Sequence, residues 1–417
     1  MTLAEELKER GLVQEATPGA ETALGTPRTV YAGFDPSADS LQIGNLALII
    51  TMKRLANAGH KIIFLAGGAT GAIGDPRERG ERTMNDMQVV VTNTRAIKKQ
   101  FKQIFGTTRF TLVDNADWLL DLKLVPFLRE IGKHFTVNDL VKRDIIKKRL
   151  ETPDESISVA EFMYSLLQGY DFLYLYKKYG CDFQVEGSDQ WTNILSGIEL
   201  VRKKEGKEAH AFVLPIITDA AGKKFGKSEG NAIWLSALKT SPFAFYQFWV
   251  NLPDTHVEQY LKVYTFLPLV EISALIELHQ RNPSERQAQK TLARLVTEIV
   301  HGPATTAQVA DASSALFGAT PFHELSREAR QVALAEAPSV MLTKKEFADG
   351  ISLAEVLVTG MLATSKGDAR RLIEGKGITL GGLPITDPDQ KIYAGDLSNG
   401  FTLVRRGKQG VLILVLK

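Results

Sequence analysis

The chain of 417 residues contains one cysteine, Cys181, and seven histidines. A single cysteine excludes an internal disulfide, and in the setting YGCDFQV we expect a buried thiol that acts as a small hydrophobic side chain. The histidines show no paired metal-ligand spacing, and one cysteine does not supply a zinc cluster. We therefore expect no structural metal.

The sequence also lacks long apolar runs and an excess of either charge. Apolar stretches such as the one around residues 46–52 are too short and too interrupted to span a bilayer. The opening MTLAEELKERGLVQEA mixes acidic and basic residues, unlike a secretion signal or an import peptide, so we expect a cytoplasmic protein. Because the net charge is only +2, any binding to nucleic acid would rely on local basic patches.

What is present is an alternation of short β-rich runs and helical patterns from about residue 28 to residue 216. It predicts an α/β domain with a Rossmann-like parallel sheet, whose ligands bind at the carboxyl ends of the strands. Successive amphipathic helices follow, and then a small α+β module. The predicted divisions are 1–232 for the α/β domain, 233–318 for a helical domain, 319–350 for a linker and 351–417 for the last module.

The first chemical signal is the segment TVYAGFDPSADSLQIGNLALII, a strand followed by a polar turn and a helix that begins near Gly44. A helix N-terminus offers free N–H groups and the positive end of a dipole, which suits a phosphate. Gly33 and Gly44 let ligand atoms approach the backbone. Alone, this segment is explained equally well as an ordinary connection between a strand and a helix.

The second signal is KKFGKSEGN, residues 223–231, just after the last predicted strand of the α/β domain. Lys224 and Lys227 lie on a glycine-containing loop that could close over departing phosphates and stabilise their charge. By itself the segment would more simply be a solvated basic turn. Together the two segments predict one ATP site.

These segments resemble the HIGH and KMSKS motifs of class I aminoacyl-tRNA synthetases, and YAGFDPSADSLQIGN is similar to that region of bacterial-type tyrosyl-tRNA synthetases. The resemblance covers nearly the whole chain and is weakest from about 318 to 350. It implies that tyrosine and ATP form tyrosyl-adenylate, that tRNA(Tyr) receives the tyrosyl group, that Mg²⁺ accompanies ATP, and that the protein is a homodimer. The implied catalytic residues are Gln42, Asn45, Arg82, Lys224, Lys227 and Ser228.

The HIGH-like motif departs from the family. Members usually have histidine where this chain has Gln42 and Asn45, whereas the KMSKS-like motif matches position by position. Both amides can donate hydrogen bonds to a phosphate, but neither can carry a positive charge.

The resemblance also implies an amino-acid pocket. Tyr31 and Asp171 match the pair that hydrogen-bonds the substrate phenol, and Tyr164 and Gln168 share a helix face with Asp171 because they recur at spacings of three and four. Without the family, such a stripe would more often be ordinary packing. The implied tyrosine-binding residues are Tyr31, Asp75, Asn115, Tyr164, Gln168, Asp171 and Gln184, with Thr70 nearby.

GSDQWTN, residues 187–193, resembles the segment that binds the ribose and adenine side of ATP. Relatives usually have a second glycine where this chain has Glu186. A carboxylate there could crowd or repel the nucleotide or could point outward at a strand end, and we expect the second. Arg79 and Arg82 lie in a loop that helps activation in the family. The implied ATP-binding residues are Gly33, Asp35, Ser37, Gly44, Gly187, Asp189, Gln190 and Lys227.

The segment SLAEVLVTGMLATSKGDARRLIEGKGITLGG resembles an S4-like RNA-binding module. Phosphate contacts from such a module position RNA without reading its bases. Any single arginine is explained as well by a solvated charge, and the cluster favours RNA. The implied tRNA-binding residues are Arg370, Arg371, Lys376, Arg405, Arg406 and Lys408.

Two alternatives stay open. Gln42 and Glu186 leave room for a synthetase-derived RNA-binding protein with impaired activation, although a dead pocket has no physical need for Lys224 and Lys227. A synthetase for another aromatic amino acid is the second alternative. Asp171 opposite Tyr31 favours a phenol, because an indole pocket would lack that pairing.

Replacing Gln42 with histidine tests the departure from the HIGH motif. Gln42→His is expected to raise the rate of amino-acid activation, because an imidazolium adds positive charge beside the phosphates. Amino-acid-dependent exchange of pyrophosphate into ATP measures that rate. An unchanged or lower rate would mean that the site has adapted to glutamine.

Overall fold

The computed structural model of the chain describes residues 1–77, 80, 84, 86–218, 232–318, 320–407 and 410–417, with the backbone alone at residue 144. The chain forms two compact units. The N-terminal unit comprises residues 1–240 and 252–292, and the C-terminal unit comprises residues 241–251 and 293–417. Within the described ranges, no helix is long and apolar enough to cross a membrane.

The described strands of the N-terminal unit form one six-stranded sheet in the order β1-β6-β5-β2-β3-β4. Every pair in this sheet is parallel except β1 with β6. The strands are β1 Glu15–Ala16, β2 Thr29–Phe34, β3 Lys61–Ala66, β4 Thr111–Asp114, β5 Phe183–Gly187 and β6 His210–Leu214.

Helices connect these strands and continue into the C-terminal unit. In chain order they are α1 Leu3–Glu9, α2 Ala20–Ala23, α3 Ile43–Asn57, α4 Thr70–Ile73, α5 Met87–Phe105, α6 Ala116–Leu119, α7 Leu124–Glu130, α8 Val137–Leu140, α9 Asp144–Glu151, α10 Val159–Tyr179, α11 Trp191–Glu205, α12 Pro242–Val250, α13 Asp254–Tyr264, α14 Leu269–Arg281, α15 Gln287–His301, α16 Pro303–Phe317, α17 Arg327–Glu336, α18 Lys344–Ala348, α19 Leu353–Thr359 and α20 Lys366–Glu374.

The central strands are apolar because helices cover both faces of the sheet. In β3 every residue after Lys61 is buried, as expected of a parallel strand packed on both sides. Cys181, just before β5, is also buried, as its setting indicated. The helix α10 begins with a capping box between Ser158 and Glu161. Gly180 caps its C-terminus with a φ of 62°, a left-handed conformation that suits glycine.

The chain order makes β2 the turning point of the sheet. From β2 the chain adds β3 and β4 on one side and later returns to add β5 and β6 on the other. Ligand sites of open α/β sheets lie at such a reversal, outside the carboxyl ends of the strands. The predicted α/β fold with a parallel sheet is therefore confirmed, and the sheet order selects the ends of β2 and β5 as the place to look for a site.

The C-terminal unit contains a second sheet in the order β10-β9-β12-β13-β7 and a separate pair of β11 with β8. Its core includes Phe347, Leu357, Ile373 and Leu412. The strands are β7 Ser339–Leu342, β8 Ile351–Ser352, β9 Ile378–Leu380, β10 Leu383–Pro384, β11 Lys391–Ile392, β12 Phe401–Arg406 and β13 Gly410–Leu416.

The two units divide the chain differently from the four segments expected from the sequence. Helices occupy most of 233–318, but they are shared between the two units. Within 319–350, the expected linker, β7 pairs in parallel with β13, from Ser339 opposite Ile413 to Leu342 opposite Leu416. This segment therefore contributes a strand to the C-terminal sheet, which weak periodicity in the sequence did not indicate.

The buried side chain of Arg149 joins residues 77 and 80 to the start of α10 in the N-terminal unit. The Arg149 side chain is 1% exposed and lies 3.1 Å from Glu155 and 3.5 Å from Glu161. It also donates to the carbonyl oxygens of Arg77 and Gly80 at 3.1 and 3.0 Å. A buried cation that joins two carboxylates and two carbonyl groups fixes the residues around it.

Arg149→Met is expected to lower the free energy of unfolding by about 3 kcal/mol or more, because Glu161, 2% exposed, would be left buried without its cation. Urea denaturation measures the change. Arg129→Met removes an arginine that is 83% exposed and serves as the control. Equal stability of the two variants would contradict the structural role of Arg149.

Candidate active site

The site begins where β2 and β5 separate. The two strands pair at Val30 with Phe183 and at Tyr31 with Gln184, and no further pair joins these two described strands. Each stays paired with its outer neighbour, β2 with β3 as far as Phe34 and β5 with β6 as far as Gly187. The carboxyl ends of the two central strands therefore spread apart and open a crevice.

This crevice is a cavity of about 660 Å³. A volume of this size suits a nucleotide or a small-molecule ligand. The residues around it include most of those that sequence reasoning selected, namely Tyr31, Gly33, Asp35, Ser37, Gln42, Gly44, Asn45, Thr70, Asp75, Tyr164, Gln168, Asp171, Gln184, Gly187, Asp189 and Gln190.

Asp171 and Tyr31 form one end of the cavity. Asp171 is 2% exposed and accepts hydrogen bonds from Trp118 Nε1 at 2.7 Å and from Asn115 Nδ2 at 3.0 Å. Tyr31 is also buried, and its hydroxyl lies near the Gln184 side chain but is not within normal hydrogen-bond geometry of a described residue. A buried phenol without a partner beside an oriented carboxylate can bind a ligand hydroxyl.

Burial sets the charge state of this pair. It raises the pKa of Asp171 to about 7, although the bonds from Asn115 and Trp118 act in the opposite direction. Burial also holds the pKa of Tyr31 well above its usual value, with smaller contributions from the charges of Glu186 and Asp171. The phenol of Tyr31 therefore stays neutral at physiological pH.

Asp35 lies between two hydroxyl groups at the end of β2. It accepts hydrogen bonds from Thr70 Oγ1 at 2.9 Å and from Tyr164 OH at 2.7 Å. Gly67 makes room for it, because a Cβ at that position would overlap Asp35 Oδ1. Asp35, predicted to contact ATP, and Thr70 and Tyr164, predicted near the amino acid, thus belong to one hydrogen-bonded group.

The carboxylate of Asp75 accepts hydrogen bonds from two side-chain amides. Gln190 Nε2 donates to one of its oxygens at 2.7 Å and Asn193 Nδ2 donates to the other at 3.1 Å. The Asn193 amide also donates to Gln190 Oε1 at 3.0 Å. These bonds fix the carboxylate of Asp75 at the cavity wall, where it can accept a hydrogen bond from a ligand cation.

The helix α3, where the sequence predicted a phosphate site, begins at the cavity. It begins at Ile43 with Gln42 as its N-cap, and the Gln42 N–H donates to Asn45 Oδ1 at 3.0 Å. Gln42, Gly44 and Asn45 all line the cavity. In this first turn Ile43 N donates to Ile233 O and Asn45 N donates to Gln42 O, so among the described contacts Gly44 N is the N–H left for a ligand beside the cavity.

The KMSKS-like residues Lys224, Lys227 and Ser228 lie outside the described residues, as do Arg79 and Arg82. The chain on either side of residues 219–231 is described. Pro215, Ile216 and Ile217 line the cavity on one side, and Trp234 lines it on the other. The bonds from Ile43 N to Ile233 O and from Leu235 N to Leu41 O fix the chain after residue 231 beside the start of α3.

Glu186 does not point outward, and the expectation at this position is wrong. Its side chain is buried, 4% exposed, and it lines the cavity. Glu186 Oε1 accepts a hydrogen bond from Gly33 N at 2.6 Å, because the separation of β2 and β5 leaves that N–H without a strand partner. Gln184 Nε2 donates to the same oxygen at 3.4 Å.

Sequence reasoning gave no role to Trp118 or Asn193, and it placed Asn115 in the pocket. Asn115 is fully buried behind the cavity wall, where it donates to Thr70 as well as to Asp171. Trp118 and Asn193 orient the two carboxylates Asp171 and Asp75. No pattern in the sequence marks these contacts, because they join residues 45 to 118 positions apart.

The predicted RNA-binding residues that the structure describes belong to the C-terminal unit, and Lys408 lies outside the described residues. Arg371 and Lys376 are exposed, and Arg370 is exposed and paired with Asp389 at 2.7 Å. Arg405 differs from them, since it donates to the carbonyl oxygens of Ala315 and Gly318 at 2.5 and 2.8 Å at the end of α16.

The matching family models agree with this division of features. Residues 23–318 match the family described as tRNA synthetases class I (W and Y), and residues 328–414 match the tyrosine–tRNA ligase SYY-like C-terminal domain. The chain belongs to the tyrosine–tRNA ligase family of class I aminoacyl-tRNA synthetases. The resemblance noted from the motifs is thereby confirmed, although the HIGH-like motif lacks both histidines.

Similar proteins cover the whole chain. It is 41% identical to a tyrosine–tRNA ligase of Anaeromyxobacter dehalogenans strain 2CP-1, over 100% of this chain and 99% of the relative. It is 43% identical to that of Roseiflexus castenholzii, over 98% of each. A C-terminally truncated mitochondrial tyrosyl-tRNA synthetase of Aspergillus nidulans aligns with a TM-score of 0.67 at 32% identity, over 74% of this chain and 92% of that structure.

The pKa of Asp171 predicts a dependence of stability on pH. The folded protein holds this proton up to about pH 7, whereas the unfolded chain releases it near pH 4, so stability falls as pH rises between the two values. The contribution is roughly 3 kcal/mol between pH 5 and pH 7. Urea denaturation at several pH values gives the free energy of unfolding of wild type and of Asp171→Asn. This fall in stability between pH 5 and pH 7 should appear in the wild type and not in Asp171→Asn.

Asp117→Asn is the matched control, since Asp117 is exposed one position before Trp118. It should keep the wild-type slope. If Asp171→Asn also keeps that slope, Asp171 is ionised in the folded protein well below pH 7.

Proposed function

We propose that this chain activates L-tyrosine with ATP and transfers the tyrosyl group to the terminal ribose of tRNA(Tyr). The observation that carries the proposal is the buried pair Tyr31 and Asp171 at one end of the cavity, with the start of α3 at the same cavity. A phenol-binding end and a phosphate-binding end in one cavity suit a tyrosyl-adenylate.

The substrate phenol would bind between Tyr31 and Asp171. The Tyr31 hydroxyl is without a partner among the described residues, and Asp171 is fixed by Trp118 and Asn115. Phenylalanine would leave both buried groups unsatisfied, which costs free energy. An indole would bring no hydroxyl to this pair, so the geometry favours tyrosine over both other aromatic amino acids.

The substrate ammonium would bind near Asp75, Tyr164 and Gln168, which line the same cavity. Asp75 supplies negative charge, and Gln190 and Asn193 hold its two oxygens. With the ring and the ammonium fixed, the substrate carboxylate is directed along the cavity towards the α3 end. Positioning of this kind accounts for a large part of the rate in such reactions.

In the first step a carboxylate oxygen of tyrosine attacks the α-phosphorus of ATP in line. A carboxyl oxygen–phosphorus bond forms, the bond to the bridging oxygen breaks, and pyrophosphate leaves with the electron pair. The Gly44 N–H at the start of α3 and the side-chain amides of Gln42 and Asn45 would donate to the phosphates. Lys224 and Lys227 would stabilise the charge on the leaving group, with Ser228 and Arg82 assisting.

In the second step a ribose hydroxyl at the 3′ end of the tRNA attacks the carbonyl carbon of the adenylate. The ester forms, and AMP leaves. Exposed Arg370, Arg371 and Lys376, with Arg406 and Lys408, are our candidates for phosphate contacts in the C-terminal unit. Arg405 contributes less to this surface, because its guanidinium is bonded to the end of α16.

Mg²⁺ would enter with ATP and be held by its phosphates. The nearby carboxylates are engaged already, Asp35 by Thr70 and Tyr164 and Asp75 by Gln190 and Asn193. Mg²⁺ retains several of its waters and needs few protein ligands at nucleotide sites. The ion would neutralise charge on the leaving pyrophosphate.

We also infer a homodimer in the cytoplasm. Large apolar side chains are exposed on and beside α7, with Leu124 68% exposed and Val125 74% exposed. Leu120 and Leu128 extend the same stretch. An exposed apolar patch of this kind suits a subunit interface.

The deciding experiment is amino-acid-dependent exchange of pyrophosphate into ATP with tyrosine, phenylalanine and tryptophan in turn. Exchange with tyrosine alone is expected. Dependence on tryptophan would overturn the substrate, and no exchange with any of the three would favour the synthetase-derived RNA-binding protein. Asp171→Ala serves as the pocket control and is expected to abolish tyrosine dependence, because Tyr31 alone cannot fix the phenol.

A further inference from the structure

The carboxyl group of Glu186 lines the cavity but has no part in the mechanism above. Glu186 lies on β5, two residues after Gln184, where β5 has separated from β2. If the pairing had continued, Glu186 would lie opposite Gly33 in the sheet. Its side chain reaches across instead and takes the Gly33 N–H, so it joins the two strands at the opening of the crevice.

The two oxygens of Glu186 have different environments. Oε1 accepts from Gly33 N at 2.6 Å and from Gln184 Nε2 at 3.4 Å. Oε2 has no hydrogen-bond partner among the described residues, and it keeps some exposed surface. Since Glu186 lines the cavity, we place this oxygen on the side of the ligand space.

Acidic and neutral groups surround this carboxyl. The charged and phenolic neighbours that act on it are Asp35, which follows β2, Asp189, which follows β5, and Tyr31 on β2. Val213, its pairing partner on β6, is apolar. No salt bridge in the described part of the chain involves Glu186, and Arg77 is the only lysine or arginine among the described cavity residues.

A buried carboxyl in this setting keeps its proton. Burial raises the pKa of Glu186 to about 8, with further contributions from the charges of Asp189 and Asp35, against the bonds from Gly33 and Gln184. Because Oε1 is the acceptor of both protein bonds, the proton belongs on Oε2. The side chain is then a neutral hydrogen-bond donor that points into the cavity.

We propose that Glu186 is a ligand-contacting residue that, as a neutral acid, donates a hydrogen bond from Oε2 to an oxygen of the ATP ribose. The inference rests on the proposed function, because Gly187, Asp189 and Gln190, the residues proposed for the ribose side, follow Glu186 directly. A neutral acid supplies a donor among carboxylates without adding charge that would repel the phosphates. A glycine at this position would supply no such group.

Glutamine is the variant that separates charge from shape. In Glu186→Gln the amide oxygen can accept from Gly33 N, and the amide N–H₂ can donate into the cavity, which reproduces the neutral acid. Glu186→Ala removes both interactions. Glu208→Gln makes the same change at an exposed position just before β6 and is the control.

The measurement is kcat/KM for ATP in tyrosine-dependent pyrophosphate exchange from pH 6 to pH 10. Wild type should lose activity above about pH 8 and level off near the activity of Glu186→Ala, whereas Glu186→Gln should stay within a few-fold of wild type at pH 7 and keep that activity at higher pH. Glu186→Ala should lower kcat/KM for ATP by about two- to tenfold, the value of one hydrogen bond, with KM for tyrosine little changed.

Two outcomes of the activity measurement overturn the inference. One is an alkaline limb that Glu186→Gln leaves in place, and the other is a Glu186→Gln variant that is nearly inactive at pH 7, which would mean that the charge is needed. The ionisation is checked without any activity, since the stability of wild type should fall from about pH 4.5 to pH 8 relative to Glu186→Gln. A parallel pH dependence of the two proteins also overturns it.

If no exchange occurs, the proposed function fails by itself. Calorimetric binding of α,β-methylene-ATP with Mg²⁺ across the same pH range then decides the inference. Weakening of binding above about pH 8 in wild type but not in Glu186→Gln supports it, and identical profiles or no binding overturn it.

Discussion

The separation of β2 from β5 is the constraint on which the site depends. After Tyr31 and Gln184 the two strands leave each other while each remains paired with its outer neighbour. The cavity exists because that ladder ends, and backbone groups such as the Gly33 N–H lose their strand partners at that point. Side chains from both strands then become the walls of the ligand space.

The described walls of the cavity hold several carboxylates, with Arg77 as the one lysine or arginine among them. Asp35, Asp75 and Asp171 are fixed by hydroxyl and amide donors and by an indole N–H. Neutral donors orient a carboxylate without cancelling its charge, so the group keeps its attraction for a ligand cation or hydroxyl. Burial then decides which carboxyls are charged, as the raised pKa values of Asp171 and Glu186 indicate.

A tertiary contact with Gly33 places the Glu186 side chain inside the cavity, where the strand pattern alone did not predict it. As a strand-end glutamate it was expected to face outward, because alternation along a strand is the pattern the sequence offers. In the structure β2 is no longer paired with β5 at this position, and the carboxyl of Glu186 lies in the gap between the two strands. The substitution of the usual glycine therefore concerns the inside of the cavity and not the surface.

The sequence by itself determined the family, the α/β fold and most of the cavity residues, because these follow from local patterns and from motifs read in order. Gly44 at a helix start and Tyr164 with Asp171 on one helix face are examples of what such patterns give. It did not determine that Ser339–Leu342 joins the C-terminal sheet or that Arg405 binds the end of α16.

Nor did the sequence indicate that Trp118 and Asn193 orient the two carboxylates Asp171 and Asp75. Each of these facts is a contact between segments far apart in the chain. Local propensity carries no information about such contacts, and only the packing of the folded chain decided them.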